Sequence, residues 1–190
     1  MCYDCAANAG KHCSKCKTCL NGDAVCPSCG NKESAIFSGY VESFLSDTET
    51  ITIQLIDIEN SNQTYEVTVS GGTLSDKTYT TAFSIQDVIY GTYTMKVSKA
   101  DHITHEYTIT INPNSTTQNA KIHPIGDVNG DGKVSVADVT TISSHIKKTA
   151  LITDDYMLKC ADVNFDGKIS VVDVTSVSSH IKKTALLWND

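Results

Sequence analysis

The sequence contains no arginine: all 15 basic residues are lysine, and 22 acidic residues bring the formal net charge to −7. Because arginine supplies the planar fork that pairs with phosphate groups, a chain of this composition is not expected to bind nucleic acid. No apolar run approaches the roughly 20 residues of a membrane-spanning helix, so membrane insertion is not expected either. No signal-peptide pattern follows Met1, which suits either an intracellular protein or a piece of a longer secreted one.

Recognisable catalytic motifs are also missing, and the chain is therefore not predicted to be an enzyme. It has no GxSxG nucleophile turn, no HExxH zinc motif and no phosphate-binding glycine loop. His102 and His105 suggest a metal site at first sight, but on a β-strand they would point to opposite faces of the sheet. We therefore interpret both histidines as polar surface residues.

Three stretches of different composition indicate three modules. Seven of the eight cysteines lie between Cys2 and Cys29, which marks residues 1–34 as a small Cys-rich head. Residues 35–124 contain short alternating runs of Thr, Val, Ile and Tyr between turn signals, a pattern typical of an all-β sandwich. About seven strands are predicted, at residues 36–44, 49–58, 64–70, 78–85, 91–98, 103–111 and 118–123. Residues 125–190 combine Asp/Gly clusters with helix-period segments and are predicted to be all-α.

The last module contains a duplication. Residues 126–151 and 161–186 are identical at 20 of 26 aligned positions, with an offset of 35 residues. Each copy places Asp, Asn, Asp, Gly, Ser and Asp at positions 1, 3, 5, 6, 9 and 12 of a loop, which is the pattern of the twelve-residue calcium loop. Gly at position 6 permits the sharp turn that brings the side chains together, because it has no Cβ. We therefore predict two calcium ions, each held by a loop that is followed by a helix.

The predicted ligands are oxygen donors, which Ca²⁺ prefers. Loop 1 would use Asp127, Asn129, Asp131, the carbonyl of Lys133, Ser135 through water, and Asp138. Loop 2 would use Asp162, Asn164, Asp166, the carbonyl of Lys168, Ser170 through water, and Asp173. In contrast to an ordinary EF-hand, position 12 is Asp in both loops, and no helix is predicted before loop 1 because Pro124 disfavours it. These differences argue against a sensor in which a helix pair opens on binding calcium.

The two segments, which open with DVNGDGKV and DVNFDGKI, resemble type I dockerins over about residues 126–188. The resemblance implies a module that folds on binding calcium and then docks onto a cohesin module of a scaffoldin. Such docking assembles cellulosomes, the extracellular complexes that degrade polysaccharides. The implied function is therefore non-catalytic assembly, and the implied location is outside the cell.

The resemblance also implies a partner-binding face made from matching positions of the two repeats. These positions carry an apolar pair, a Ser-Ser pair and a Lys-Lys pair, all predicted to lie along the helix of each repeat. They are Val136, Ala137, Ser143, Ser144, Lys147, Lys148, Val171, Val172, Ser178, Ser179, Lys182 and Lys183. Because the halves are nearly identical, a two-fold rotation would present almost the same surface, and either helix is predicted to lead in binding. The opposite stripes, which include Ile142 and Val177, are predicted to form the core.

The two earlier modules give weaker signals. Residues 91–97, GTYTMKV, resemble carboxypeptidase-regulatory-like or Cna-B-like domains of bacterial surface proteins, which implies a spacer or binding module. In the head, CxxC pairs indicate a zinc ribbon whose predicted ligands are Cys13, Cys16, Cys26 and Cys29. The other readings of the head are a zinc site that uses Cys16 with Cys19, disulfides in a secreted chain, and disorder with free thiols.

The sequence therefore predicts a calcium-loaded dockerin on a β-sandwich spacer with a Cys-rich head. Three alternatives remain open at this point. The chain could be a calcium-stabilised cell-surface spacer, an accessory part of a larger secreted carbohydrate-active enzyme, or an enzyme with an unrecognised active site.

Overall fold

The computed structural model describes residues 33–75 and 78–188. The candidate zinc ligands Cys13, Cys16, Cys26 and Cys29 lie outside the described residues, and the zinc site stays a prediction. The described residues contain a β-rich region followed by three helices. None of the helices in this part of the chain is both long and apolar enough to cross a membrane.

The β-rich region is a sandwich of two four-stranded sheets. Its strands are β1 (Ser34–Ser43), β2 (Ile51–Asp57), β3 (Thr64–Val69), β4 (Thr73–Ser75), β5 (Thr78–Ile89), β6 (Gly91–Lys99), β7 (His105–Ile111) and β8 (Ala120–Lys121). One sheet has the order β4-β5-β1-β8 and the other the order β3-β2-β6-β7. Neighbouring strands are antiparallel, except that the short β8 pairs in parallel with β1.

The core lies between the two sheets and follows from the alternating pattern of the sequence. On β2, Ile53 and Leu55 are fully buried and pair in register with Val97 and Met95 of β6. Successive side chains of a strand point to opposite faces, so this alternation puts one apolar row on the inside. The row packs in the same cluster as Phe37 of the facing sheet. The prediction of a β-sandwich agrees with these two packed sheets.

The strand boundaries differ from the prediction mainly at β4 and β5. The three-residue β4 was not predicted, and β5 continues to Ile89 instead of ending at residue 85. The pairing of β1 with β5 shifts in register between Ala35 and Phe37: Phe37 pairs with Ile85, whereas Ala35 pairs with Val88. This shift accompanies the extension of β5 beyond residue 85. Asp87 has a φ of 55°, which marks a local irregularity of the kind that a β-bulge produces.

The interpretation of His102 as a surface residue is wrong. His102 lies before β7 and is buried, with 7% of its surface exposed. Its Nδ1 lies 2.7 Å from the Ala100 carbonyl, and its Nε2 accepts a hydrogen bond from the Phe44 amide at 3.2 Å. Burial lowers the pKa of His102 to about 4. Asp101, with a φ of 62°, belongs to the turn that directs this side chain inward.

Three helices complete the fold: α1 (Val136–Ile146), α2 (Asp155–Ala161) and α3 (Val171–Ile181). Ile142 of α1 and Val177 of α3 are fully buried in one shared cluster, as the apolar stripes predicted. The helix α2 begins at Asp155 because Asp154 is its N-cap, accepting hydrogen bonds from the amides of Tyr156 and Met157.

Candidate calcium loops and docking face

Loop 1 is organised around Asp127, which is completely buried. Its Oδ1 accepts hydrogen bonds from the amides of Gly130 at 2.9 Å and Asp131 at 3.2 Å. Its Oδ2 accepts from the Gly132 amide at 2.9 Å and lies 2.8 Å from Nδ1 of His123. Gly132 has a φ of 81°, so glycine at loop position 6 allows the left-handed turn that the sequence predicted.

Loop 2 repeats this arrangement with fewer contacts. Asp162 is half-buried and accepts from the amides of Asp166 at 3.1 Å and Gly167 at 2.8 Å. The position 3 side chain, Asn164, donates to Asp166 at 3.1 Å, as Asn129 does to Asp131 in loop 1 at 3.3 Å. Gly167 also has a φ of 81°. The predicted turn therefore forms in both loops.

The last residue of each loop joins the loop to the helix that follows. Asp138 is completely buried; its Oδ1 accepts from the Val128 amide at 2.8 Å and its Oδ2 from the Ser135 amide at 2.8 Å. Asp173 does the same with Val163 and Ser170. Ser135 and Ser170 are the N-caps of α1 and α3, and each forms a capping box with the aspartate. Loop conformation and helix position are thus mechanically linked.

The donor chemistry of the loops fits a hard divalent cation. Burial raises the pKa of the Asp138 carboxyl, the charge of Asp127 adds to this effect, and hydrogen bonds from Ser135, Val128 and Asn129 oppose it. Within the described part of the chain, the ion pairs contain no lysine that neutralises either Asp138 or Asp173. Buried carboxylates without a basic partner are stabilised when a cation binds them.

The aspartates of both loops are engaged with backbone amides of their own loops. Among residues 33–75 and 78–188, no three His, Cys, Asp or Glu groups are arranged to hold a metal ion. The carboxylates accept from the backbone of their own loops instead, and the Lys133 and Lys168 amides donate to Asp131 and Asp166. The two ligand sets named from the sequence are therefore brought into the same loops, and calcium ligation by each residue stays a prediction.

The apolar pairs of the predicted docking face are exposed. Val136, Val171 and Val172 have 67%, 66% and 56% of their surface accessible. Ala137 is also exposed. These residues stand at the first turns of α1 and α3, where each loop overlaps the start of its helix. The serine pairs are half-buried, and Ser178 donates to the carbonyl of Val174 in its own helix at 2.7 Å.

The lysine pairs were expected along the helices, and this placement is wrong. The helices end at Ile146 and Ile181, so Lys147 and Lys182 are C-caps, and the next residue in each repeat, Lys148 or Lys183, has a positive φ. The chain turns away at this point because a left-handed residue ends a helix. All four lysines are exposed at the helix C-termini, where their charge complements the helix dipole.

Sequence reasoning missed Leu151 and Leu186, the last residues of the two repeats. They have 62% and 44% of their surface exposed. Each lines a shallow groove next to one helix: Leu151 with Ser144 beside α1, and Leu186 with Val172 beside α3. Their identity in both copies of the repeat was a signal that could have identified them.

Sequence reasoning also missed the junction between the sandwich and the helical region. Tyr156 of α2 donates to the Ile103 carbonyl at 2.7 Å and accepts from the His123 amide at 2.9 Å. Its ring stacks on His105 of β7 at 3.8 Å. Cys160 is buried in the same cluster as Ile103, as expected for an unreactive thiol. These contacts connect residues far apart in the sequence, and no local pattern indicated them.

Comparison with known proteins gives one family match. Residues 125–182 match the family model described as the dockerin type I domain. Among curated proteins, none matches the chain significantly.

Two solved structures resemble the chain, both of them interface mutants of a type II cohesin-X-dockerin complex from Acetivibrio cellulolyticus. The C-terminal interface mutant is 20% identical, with 77% of this chain and 94% of that chain covered and a TM-score of 0.32. The N-terminal interface mutant is 19% identical, with the same coverage and a TM-score of 0.33.

Proposed function

We propose that this chain is an assembly protein that binds a cohesin module of a scaffoldin, because residues 125–182 match the family model of the dockerin type I domain. Type I dockerins are calcium-binding, non-catalytic modules, so this part of the chain contributes attachment rather than chemistry. We place the complex outside the cell, in a cellulosome-like assembly. The proposed modules remain residues 1–34, 35–124 and 125–190.

The observation that carries the proposal is the pair of exposed apolar patches at matching positions of the two repeats. Val136 with Ala137, and Val171 with Val172, stand at the first turns of their helices, where the helices begin within the last positions of the calcium loops. Apolar side chains that form a contiguous exposed patch on a folded domain can mark a protein-binding site. The exposed lysines at the helix ends would form the polar edge of the same surface.

The loops explain how calcium would control that surface. Two calcium ions would supply the positive charge that draws the loop oxygens together, one in each loop. Asp138 and Asp173 hold the loop backbone and the helix N-cap at the same time, through 2.8 Å hydrogen bonds to Ser135 and Ser170. A change in loop conformation would therefore move the start of the helix, and with it the apolar pair. Cohesin binding is expected to require calcium for this reason.

Binding to a panel of immobilised cohesin modules, with calcium or with a chelator, tests the proposal. The full chain would be compared with Val136→Asp/Ala137→Asp, with Val171→Asp/Val172→Asp and with both double changes combined. Ile58→Asp in the sandwich is the matched control, because Ile58 is 56% exposed, as Val172 is. We expect calcium-dependent capture of the unaltered chain and of the control, and at least tenfold weaker capture when both halves are changed.

The variants also distinguish one binding orientation from two. If the cohesin can be bound mainly through α1 or mainly through α3, each double change alone will leave substantial cohesin binding. If only one helix makes the main contact, the double change in that helix alone will abolish cohesin binding. Calcium-dependent stability without capture by any cohesin would favour a calcium-stabilised spacer. Capture that persists in chelator would contradict the calcium mechanism.

The Cys-rich head is a separate part of the proposal. We infer that Cys13, Cys16, Cys26 and Cys29 hold a zinc ion, because CxxC pairs provide the thiolates of a tetrahedral site. Native mass spectrometry of the purified chain tests this. One zinc per chain supports the site, whereas a zinc-free chain with disulfides would replace it with a bridged head.

A further inference from the structure

The two calcium loops are nearly identical in sequence, but they have different surroundings. Loop 1 lies against the sandwich: a Cβ placed on Gly132 would overlap the ring of Phe44, which itself is only 4% exposed. At the equivalent position in loop 2, nothing lies within 4 Å of a Cβ placed on Gly167. Loop 1 is thus packed at its tightest turn, whereas loop 2 faces open space there.

Phe44 is a fixed support rather than a mobile side chain. It follows β1 directly, its amide donates to His102 Nε2 at 3.2 Å, and its carbonyl accepts from Lys99 Nζ at 2.9 Å. Both partners belong to the sandwich side of the junction and are buried. The backbone of Phe44 is therefore held by the sandwich.

A second contact runs from Phe44 to the first ligand of loop 1. The ring of His123 stacks on Phe44 at 5.3 Å, and its Nδ1 lies 2.8 Å from Asp127 Oδ2. A partner of this kind orients a ligand carboxylate and so favours metal binding. In the repeat, the position that corresponds to His123 is Leu158, which offers no such donor. Loop 2 also has Phe165, 65% exposed and with a φ of 58°, where loop 1 has Gly130.

We propose that Phe44 and His123 are positioning residues that brace loop 1 from the sandwich, so that loop 1 binds calcium more tightly than loop 2. Of the two loops, only loop 1 has a calcium affinity that depends on the sandwich. This inference rests on the proposed function, since it concerns the calcium ions of the dockerin. By linkage, calcium in loop 1 also stabilises the sandwich, whereas calcium in loop 2 does not.

The test measures each loop separately in the full chain. Asp166→Ala disables loop 2 and Asp131→Ala disables loop 1; both residues occupy position 5 and both are exposed, so the two backgrounds are matched. Calcium affinity is measured by titration calorimetry with a competing chelator, first in each background and then with Phe44→Ala added. In the Asp166→Ala variant only loop 1 can bind calcium, and we call this the loop 1 background; the Asp131→Ala variant is the loop 2 background. We expect tighter calcium binding in the loop 1 background, and Phe44→Ala should weaken it about tenfold or more. In the loop 2 background, Phe44→Ala should change the affinity less than about twofold.

A second variant keeps the test decisive if Phe44→Ala disrupts the sandwich. His123→Leu introduces the residue that the second repeat carries, removes the contact with Asp127 and leaves Phe44 in place. It should weaken calcium binding in the loop 1 background only. Circular dichroism establishes that the sandwich is folded in each variant. The urea midpoint of the sandwich should rise with calcium in the loop 1 background and stay constant in the loop 2 background.

The possible outcomes separate this inference from the proposed function. Equal affinities of the two loops, or equal effects of the variants in both backgrounds, would overturn the bracing of loop 1 while leaving a calcium-binding dockerin intact. No calcium uptake by the unaltered chain would instead overturn the proposed calcium-dependent function itself.

Discussion

Replacing Tyr156 by phenylalanine removes one hydroxyl from the junction between sandwich and dockerin. That hydroxyl donates to the Ile103 carbonyl at 2.7 Å and accepts from the His123 amide at 2.9 Å. All three residues are buried, with at most 8% of their surface exposed. The aromatic stack on His105 at 3.8 Å survives the change, so the variant isolates the hydrogen bonds.

The expected loss of stability follows from the two groups left without a partner. A buried donor or acceptor that loses its hydrogen bond costs about 1–3 kcal/mol, so the two groups left by Tyr156→Phe should lower the free energy of unfolding by about 2–6 kcal/mol. This is a large part of the roughly 5–15 kcal/mol that stabilises a typical domain. The loss should affect both modules, because the hydroxyl connects them.

Urea denaturation measures the loss, with circular dichroism following the sandwich and Trp188 fluorescence following the dockerin. Trp188 packs on His180 at 4.2 Å and so reports on the helical region. Tyr40→Phe is the control, because Tyr40 is 54% exposed on β1 and its change should cost less than about 0.5 kcal/mol. A change below about 0.5 kcal/mol for Tyr156→Phe as well would refute the argument that this hydroxyl joins the modules.

Three further predictions concern the interior of the molecule. Burial raises the pKa of the Cys160 thiol to about 12, so peptide mapping after iodoacetamide treatment should find Cys160 unmodified in the folded chain and modified in urea. Because burial lowers the pKa of His102 to about 4, below its unfolded value of about 6.5, the unfolded chain binds this proton more readily. The contribution of His102 to the free energy of unfolding is therefore fully present above pH 6.5, and up to about 3 kcal/mol of it is lost as the pH falls toward 4. His102→Gln should flatten this part of a plot of stability against pH. Ile142→Ala should lower the free energy of unfolding of the dockerin by about 2–5 kcal/mol in thermal melts, whereas Val136→Ala, on the exposed face, should change it by less than about 0.5 kcal/mol.

Much of the dockerin was readable from the sequence because its signals are local. The spacing of aspartates and the glycine at position 6 act within twelve residues, and the turns form as predicted at Gly132 and Gly167. The apolar stripes through Ile142 and Val177 likewise follow from the helix period. The alternation of β2 predicted a half-buried strand for the same reason, since a side chain's face depends only on its position along the strand.

The errors occurred where local signals were weak or competed. Lys148 was placed on a helix because a periodic pattern does not show where a left-handed residue ends it. His102 was placed on the surface because a polar residue near a strand is usually exposed. Its burial depends on the amide of Phe44, a group 58 residues away along the chain. Strand β4 has three residues, too short for an alternating pattern.

By itself, the sequence determined that two equivalent loops rich in oxygen donors exist, that a helix follows each, and that a β-rich module precedes them. Only the tertiary structure decided that the loops are not equivalent in their surroundings. The sandwich precedes loop 1 in the chain, and Phe44 and His123 lie against that loop, while loop 2 stays open at Gly167. Sequence repeats encode the same local conformation twice, but contacts between distant residues depend on how the whole chain packs, which breaks the symmetry of the repeat.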